Sequence, residues 1–225
     1  MDIEVGGRVL IIGAGHAGTE ASFSLRKAGW KGEIILMNEE EGLPYQRPPL
    51  SKAYLIGELA GSKLDIKSAD SFKNAGVDLR CSMRATEIDR DNRRVRFESG
   101  ESVSYSKLIL ATGTRPRRLG LSDLEPKDVF YIRKKEDVDR LQLMQRRQQS
   151  VLFVGGGFIG LEAAASATKL GLKVTVMEAQ DRLLKRVTSE PVSEFFLDLH
   201  RQSGVDVLLA CELHTINRLS HGYSA

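Results

Sequence analysis

Only two cysteines occur in the 225 residues, Cys81 and Cys211, and they lie far apart with no CxxC or metal-ligand spacing. A disulfide framework and a zinc site are therefore poorly supported, no metal is expected, and both thiols read as small buried side chains. Long apolar runs are missing as well, since no uninterrupted stretch approaches the roughly 20 residues that a bilayer crossing requires. The start, Met1-Asp2-Ile3-Glu4, has neither the basic nor the apolar region of a secretory leader, so a cytoplasmic protein with no membrane partner is expected. An excess of one charge is also lacking. The net charge is +3 with both signs interspersed, so the basic runs at 90–96, 115–118 and 133–135 read as solvated turns and faces, and nucleic-acid binding has little support. Ordinary apolar and charged fractions leave a globular chain with room for one large or two modest domains.

Glycine, by contrast, is present in a pattern. Val9-Leu10-Ile11-Ile12 runs straight into Gly13-Ala14-Gly15-His16-Ala17-Gly18, and a helix is predicted over 19–28. Each glycine answers a steric demand: a tight strand-to-helix turn, backbone approach to a pyrophosphate, and close packing of helix on strand. The helix start then presents amide N–H groups and the positive dipole end to the phosphates. The chain does this twice. Val151-Leu152-Phe153-Val154 enters Gly155-Gly156-Gly157-Phe158-Ile159-Gly160, with a helix predicted over 161–170. One such motif is weak evidence; two, each between an apolar strand and a helix, are strong.

Parallel strands are predicted at 33–37 and 173–177. At the tip of the first, Glu39, with Glu40 as an alternative, stands about 20 residues past its glycines, where a carboxylate accepts both hydroxyls of a ribose. Glu178 occupies the same place after the second loop, which favours NADH over NADPH. A strand at 76–80 precedes short alternating runs over 85–105 that read as an antiparallel meander. The strand 107–110 ends in Ala111-Thr112-Gly113, small residues that let backbone approach a ligand. A helix is expected over 50–59 after the prolines at 44, 48 and 49, a charged helix over 135–149, a Ser189-capped helix reaching Gln202, and a third strand of the second unit at 205–209. The stretch 212–219 reads as the start of a hairpin with no strand to finish it. His16 reads as a loop-filling side chain and His200 as a helix-surface one, and neither is given a catalytic role.

The fold expectation is α/β, with two Rossmann-like dinucleotide-binding units built on parallel sheets. The first unit, 1–116, carries the antiparallel meander, and the second, 117–225, is incomplete.

With Pro44-Tyr45-Gln46-Arg47-Pro48-Pro49-Leu50-Ser51-Lys52, Ala111-Thr112-Gly113 and Gly160-Leu161-Glu162 added to the two glycine loops, the sequence resembles a known family. It is similar to the FAD-dependent, NADH-oxidising ferredoxin reductases of bacterial oxygenase systems, the putidaredoxin and rubredoxin reductase type among the glutathione-reductase-like flavoproteins. The resemblance implies that the first unit holds FAD through Gly13, Gly15, His16, Ala17, Gly18 and Glu39, with backbone from Ala85, Ala111, Thr112 and Gly113, and with Arg47, Lys52 and Arg133 along the flavin. It implies that NADH lies on Gly155, Gly157, Phe158, Ile159 and Gly160, with Glu178 on its ribose and Arg186 nearby. Lys52 is expected to pair with Glu162 beside the reactive flavin edge, these two being the catalytic residues. The implied reaction takes hydride from NADH and passes single electrons to a ferredoxin-type iron–sulfur partner, in a monomer or weak dimer.

The resemblance further implies strands completing the second unit, a return segment closing the FAD site, and a C-terminal domain. None of these is within the 225 residues, so a C-terminally truncated chain is expected, and a non-catalytic nucleotide-binding remnant is the alternative function. A disulfide oxidoreductase is disfavoured, because Leu43-Pro44-Tyr45-Gln46 stands where such a protein needs its cysteine pair.

Overall fold

The computed structural model describes residues 6–120, 125, 128–145, 150–219 and 222–224. The chain divides into two compact units, one made of Met1–Gln46 with Ser62–Arg115, the other of Arg47–Gly61 with Pro116–Ala225. Among the described residues no helix is long and apolar enough to cross a membrane, and no cluster of His, Cys, Asp and Glu could hold a metal ion.

In the first unit β1 (Arg8–Ile12), β2 (Glu33–Met37), β3 (Val77–Arg80) and β7 (Lys107–Leu110) form a parallel sheet in the order β3-β2-β1-β7. The helices α1 (His16–Lys27) and α2 (Ala69–Asn74) lie in the crossovers, and β4 (Ala85–Asp89), β5 (Arg94–Phe97) and β6 (Ser102–Ser104) make the antiparallel meander. The central strands β1 and β2 are apolar and buried at every position after the first because both faces are covered there. Val9, Ile11, Ile34 and Leu36 pack with Phe72 of α2 and with Ala21, Phe23 and Leu25 of α1. Leu10, Ile12, Ile35 and Met37 point the other way, onto Val95, Phe97 and Val103 of the meander. Strand order reverses at β1, which puts the crevice for a ligand at the carboxyl end of β1, where the first glycine loop begins.

In the second unit β8 (Ser150–Val154), β9 (Lys173–Met177) and β10 (Asp206–Leu208) are parallel in the order β10-β9-β8. Around them lie α3 (Lys135–Gln145), α4 (Phe158–Lys169) and α5 (Glu190–Gln202). Leu161, Ala164 and Ala167 of α4 pack on Val174, Val176, Leu183, Leu184, Val205 and Val207. The stretch 47–61, which a linear division leaves with the first unit, packs here instead: Leu50, Tyr54 and Leu55 are buried, and the Tyr54 hydroxyl donates to Asp139 of α3.

Several expectations need correction. Residues 50–59 form no regular helix. A 3-10 turn, Pro48–Ser51, is followed by irregular turns, in which Ile56 N–H reaches the carbonyl of Lys52, Gly57 that of Tyr54 and Glu58 that of Ala53. Prolines at the start and a left-handed Gly57 prevent a uniform ladder. The hairpin is finished within the chain, since β11 (Asn217–Leu219) pairs antiparallel with β12 (Gly222–Ser224). His200 is buried, not on a helix surface. It lies seven residues after Ser193 on the one face of α5 that meets the core, and burial lowers its pKa. Both cysteines are only partly buried. The helices α1 and α4 begin three residues earlier than their predicted starts, because the last loop residues already have helical backbone. The expected end of α3 at 149 falls outside the described residues.

Candidate dinucleotide and flavin-side sites

The two glycine loops have the same construction. Gly13 N–H donates to Met37 O at 2.9 Å and Gly155 N–H to Met177 O at 2.7 Å, so each loop leaves its strand still bonded to the neighbouring one. Both glycines sit at positive φ, +104° and +109°. The third glycine of each loop is fixed by contact: a Cβ on Gly18 would lie 1.9 Å from Gly13 O, and one on Gly160 2.2 Å from Gly155 O. The middle one is fixed by space. Gly15 and Gly157 are the N-cap residues of α1 and α4 in extended conformation, and a Cβ on either meets nothing within 4 Å.

Those open positions are where a pyrophosphate can approach. Neither cap uses a side chain, and neither first turn carries an acidic residue, so the N–H groups of His16, Ala17 and Gly18, and of Phe158, Ile159 and Gly160, are left as donors at the positive end of a twelve-residue helix. Arg26 and Lys27 in the last turn of α1 complement the opposite pole. Both cradles fit a dinucleotide.

The carboxylates at the two strand tips differ. Glu39 is exposed. Glu40 accepts the hydroxyl of Tyr45, and its own N–H donates to Asn38 Oδ1 at 3.2 Å, so Glu40 serves the loop. Glu178 is held in place: Oε2 accepts from Gly156 N at 2.7 Å and Oε1 from Gln180 N at 2.8 Å. Gly156 is gripped from three sides, because Leu184 N–H donates to its carbonyl and a Cβ would strike Leu183 at 2.4 Å. Arg186 is exposed on the same loop, whereas Arg182 is taken up by the carbonyls of Thr188 and Lys185 and by Ser193 Oγ. Phe158 and Ile159 stand 50% and 57% exposed at the mouth of their cradle.

In the first unit Ala111 N–H donates to Ile12 O at 2.8 Å, carrying β7 past its last paired residue. Thr112 and Gly113 follow with exposed backbone, Gly113 at φ +69°. A Cβ on Gly13 would fall 2.3 Å from Ala111 O, so the loop and this segment are in contact through backbone alone. Ala85 opens β4 beside a register shift.

The remaining site residues all belong to the second unit. Lys52 Nζ lies 2.6 Å from Glu162 Oε2, joining the proline-rich segment to the first turns of α4. Burial works against ionisation of Glu162, but hydrogen bonds from Lys52 and Ser51 outweigh it and hold the carboxyl below its ordinary value. Arg47 Nη1 donates to the carbonyl of Arg133 at 2.5 Å, which brings these two positions together. Ser51 and the Leu184–Gly156 bond carry no signal in sequence, since their importance lies in contacts across 111 and 28 residues.

The chain matches the family model described as pyridine nucleotide-disulphide oxidoreductase over residues 7–224. Rhodocoxin reductase of Rhodococcus erythropolis is 41% identical over 93% of this chain and 49% of its own length. Putidaredoxin reductase of Pseudomonas putida is 38% identical over 88% of this chain and 48% of its own. The solved covalent putidaredoxin reductase–putidaredoxin complex superposes with a TM-score of 0.91 at 35% identity, over 96% of this chain and 52% of that one. The chain thus spans about half the length of these relatives. The family model covers nearly the whole chain, and the chain belongs to the pyridine nucleotide-disulphide oxidoreductase family.

Proposed function

We propose that the chain carries the two nucleotide-binding sites of a cytoplasmic, FAD-dependent NADH:ferredoxin reductase. The observation that carries this reading is the Lys52–Glu162 ion pair, which holds a cation of the proline-rich segment on α4 directly after the second glycine loop. FAD and a pyridine nucleotide are the family's cofactors. Gly13, Gly15 and Gly18 with the amides of His16 and Ala17 bind the FAD pyrophosphate, Glu39 its ribose, and Ala85, Ala111, Thr112 and Gly113 supply backbone. Gly155, Gly157 and Gly160 with Phe158 and Ile159 bind NADH, Glu178 takes the ribose hydroxyls, and Arg186 lies nearby. When bound, the nicotinamide supplies a hydride and the flavin distributes the electrons singly to an iron–sulfur partner.

The residues do the placing. Lys52 would supply a positive charge to offset the negative charge that a flavin gains on reduction, and Glu162 restrains that ammonium. Arg47 and Arg133, joined through the Arg133 carbonyl, would be the further cations on the flavin side. Glu178, already anchored by two amides, accepts the ribose hydroxyls without reorganising and repels a 2'-phosphate.

An anaerobic absorbance spectrum with FAD supplied, taken before and after NADH, tests the reading. Flavin bleaching beyond a free-FAD control is expected. A chain that retains no flavin would belong instead to the non-catalytic remnant class. Glu178→Ala raises the Kd for NADH about 10- to 100-fold by calorimetry, the loss expected for hydrogen bonds to a charged group. An unchanged Kd would remove Glu178 from the ribose site.

A further inference from the structure

We infer that Ser51 is a positioning residue of the flavin-side site: its buried hydroxyl fixes the Glu162 carboxylate and, through it, the Lys52 ammonium. The inference rests on the proposed reductase reading and adds a residue to it. Lys52 is half exposed on a flexible stem, and an exposed ion pair alone does not hold one geometry. Something buried must therefore hold the carboxylate still. Ser51 is 3% exposed, and its Oγ donates to Glu162 Oε2 at 2.7 Å, the oxygen that also accepts Lys52 Nζ at 2.6 Å. Among the described residues the other acceptor within its reach, the carbonyl of Pro48, is at 3.4 Å, so the charged acceptor wins.

A second serine supports the first. Ser166, also buried and one helical turn after Glu162 on α4, donates to the carbonyl of Ser51 at 2.8 Å. The backbone of Ser51 is thereby tied to the helix that bears its side-chain partner. Pro48 and Pro49 hold the 3-10 turn at its other end. The arrangement converts a surface pair into one whose negative member is fixed from below.

The test uses the cofactor-free chain, so that it does not depend on flavin uptake. The ¹⁵N signal of the Lys52 ammonium is identified by its loss in Lys52→Ala. In the parent this ammonium is more ordered and exchanges more slowly with water than those of unpaired surface lysines. Ser51→Ala shifts it several-fold toward the behaviour of those lysines, with little change in melting temperature. Ser51→Cys, which keeps the volume with a weaker donor, falls between parent and Ala and serves if Ala disturbs folding. A Lys52 signal that is the same in parent, Ser51→Ala and Ser51→Cys overturns the inference. FAD uptake is read separately and decides the reductase reading alone.

Discussion

Gly18→Ala lowers the melting temperature of the first unit by about 10 °C and abolishes FAD retention. The cause is a backbone contact. An added methyl carbon would lie 1.9 Å from Gly13 O and 3.3 Å from the Leu36 side chain, which is itself fully buried. A flexible side chain can turn away, but the carbonyl of Gly13 belongs to a loop whose N–H is bonded to Met37 and whose φ is +104°. The helix must therefore lift off the strand, taking with it the amides proposed to bind the pyrophosphate. Gly15→Ala is the informative control. Its Cβ meets nothing within 4 Å, so the unit keeps its stability and loses only the ligand, whose path the methyl blocks. Thermal melts of both variants with and without FAD separate the two effects; equal melting temperatures for the two would refute the division of labour among the glycines.

Arg26→Ala costs the first unit about 3 kcal/mol, seen as a lower urea midpoint with unchanged slope. The side chain sits at the end of α1 and satisfies four carbonyls: Nε reaches Ala75 O at 2.8 Å, Nη1 reaches Trp30 O at 2.9 Å and Gly32 O at 2.7 Å, and Nη2 reaches Gly76 O at 2.7 Å. These oxygens end α1, lead into β2 and end α2, so one guanidinium ties the entry of the second strand to that of the third. Removing it leaves these carbonyls without the guanidinium at two chain reversals, α1 to β2 and α2 to β3. Arg26→Lys recovers little, because an ammonium is a point donor and cannot span acceptors arranged for a planar fork. A Lys variant as stable as the parent would show that the charge alone matters and the fork does not.

The glycine loops were legible in the residues themselves, the Lys52–Glu162 contact between the proline-rich segment and α4 came only from the family resemblance, and the part Ser51 plays in it was not legible at all. An apolar run followed by glycines at fixed spacing dictates a strand, a tight turn and a helix start, because only glycine tolerates the required φ and the required approach. The strands at 33–37 and 173–177 coincide with β2 and β9: Ile34 to Met37 is an unbroken buried apolar run, and Val174, Val176 and Met177 are buried on either side of a half-buried Thr175. The hairpin after 216 was half missed, since Gly222-Tyr223-Ser224 has no alternation and gains its place from pairing with Asn217–Leu219 and from the Tyr223 hydroxyl on Asp128. His200 was misplaced because an imidazole on a helix gives no sign of which face it occupies.

By itself the sequence determined two dinucleotide-binding loops, the strands that feed them and the carboxylates at the strand tips, all set by local sterics over fewer than about 30 residues. The tertiary structure decided what those residues do to one another. Packing took Glu40 for Tyr45 and left Glu39 exposed, locked Glu178 onto Gly156, and carried residues 47–61 to the second unit. There Ser51 and Lys52 meet a carboxylate more than a hundred positions away. Such contacts depend on how buried surfaces fit, and composition and spacing say nothing of that fit.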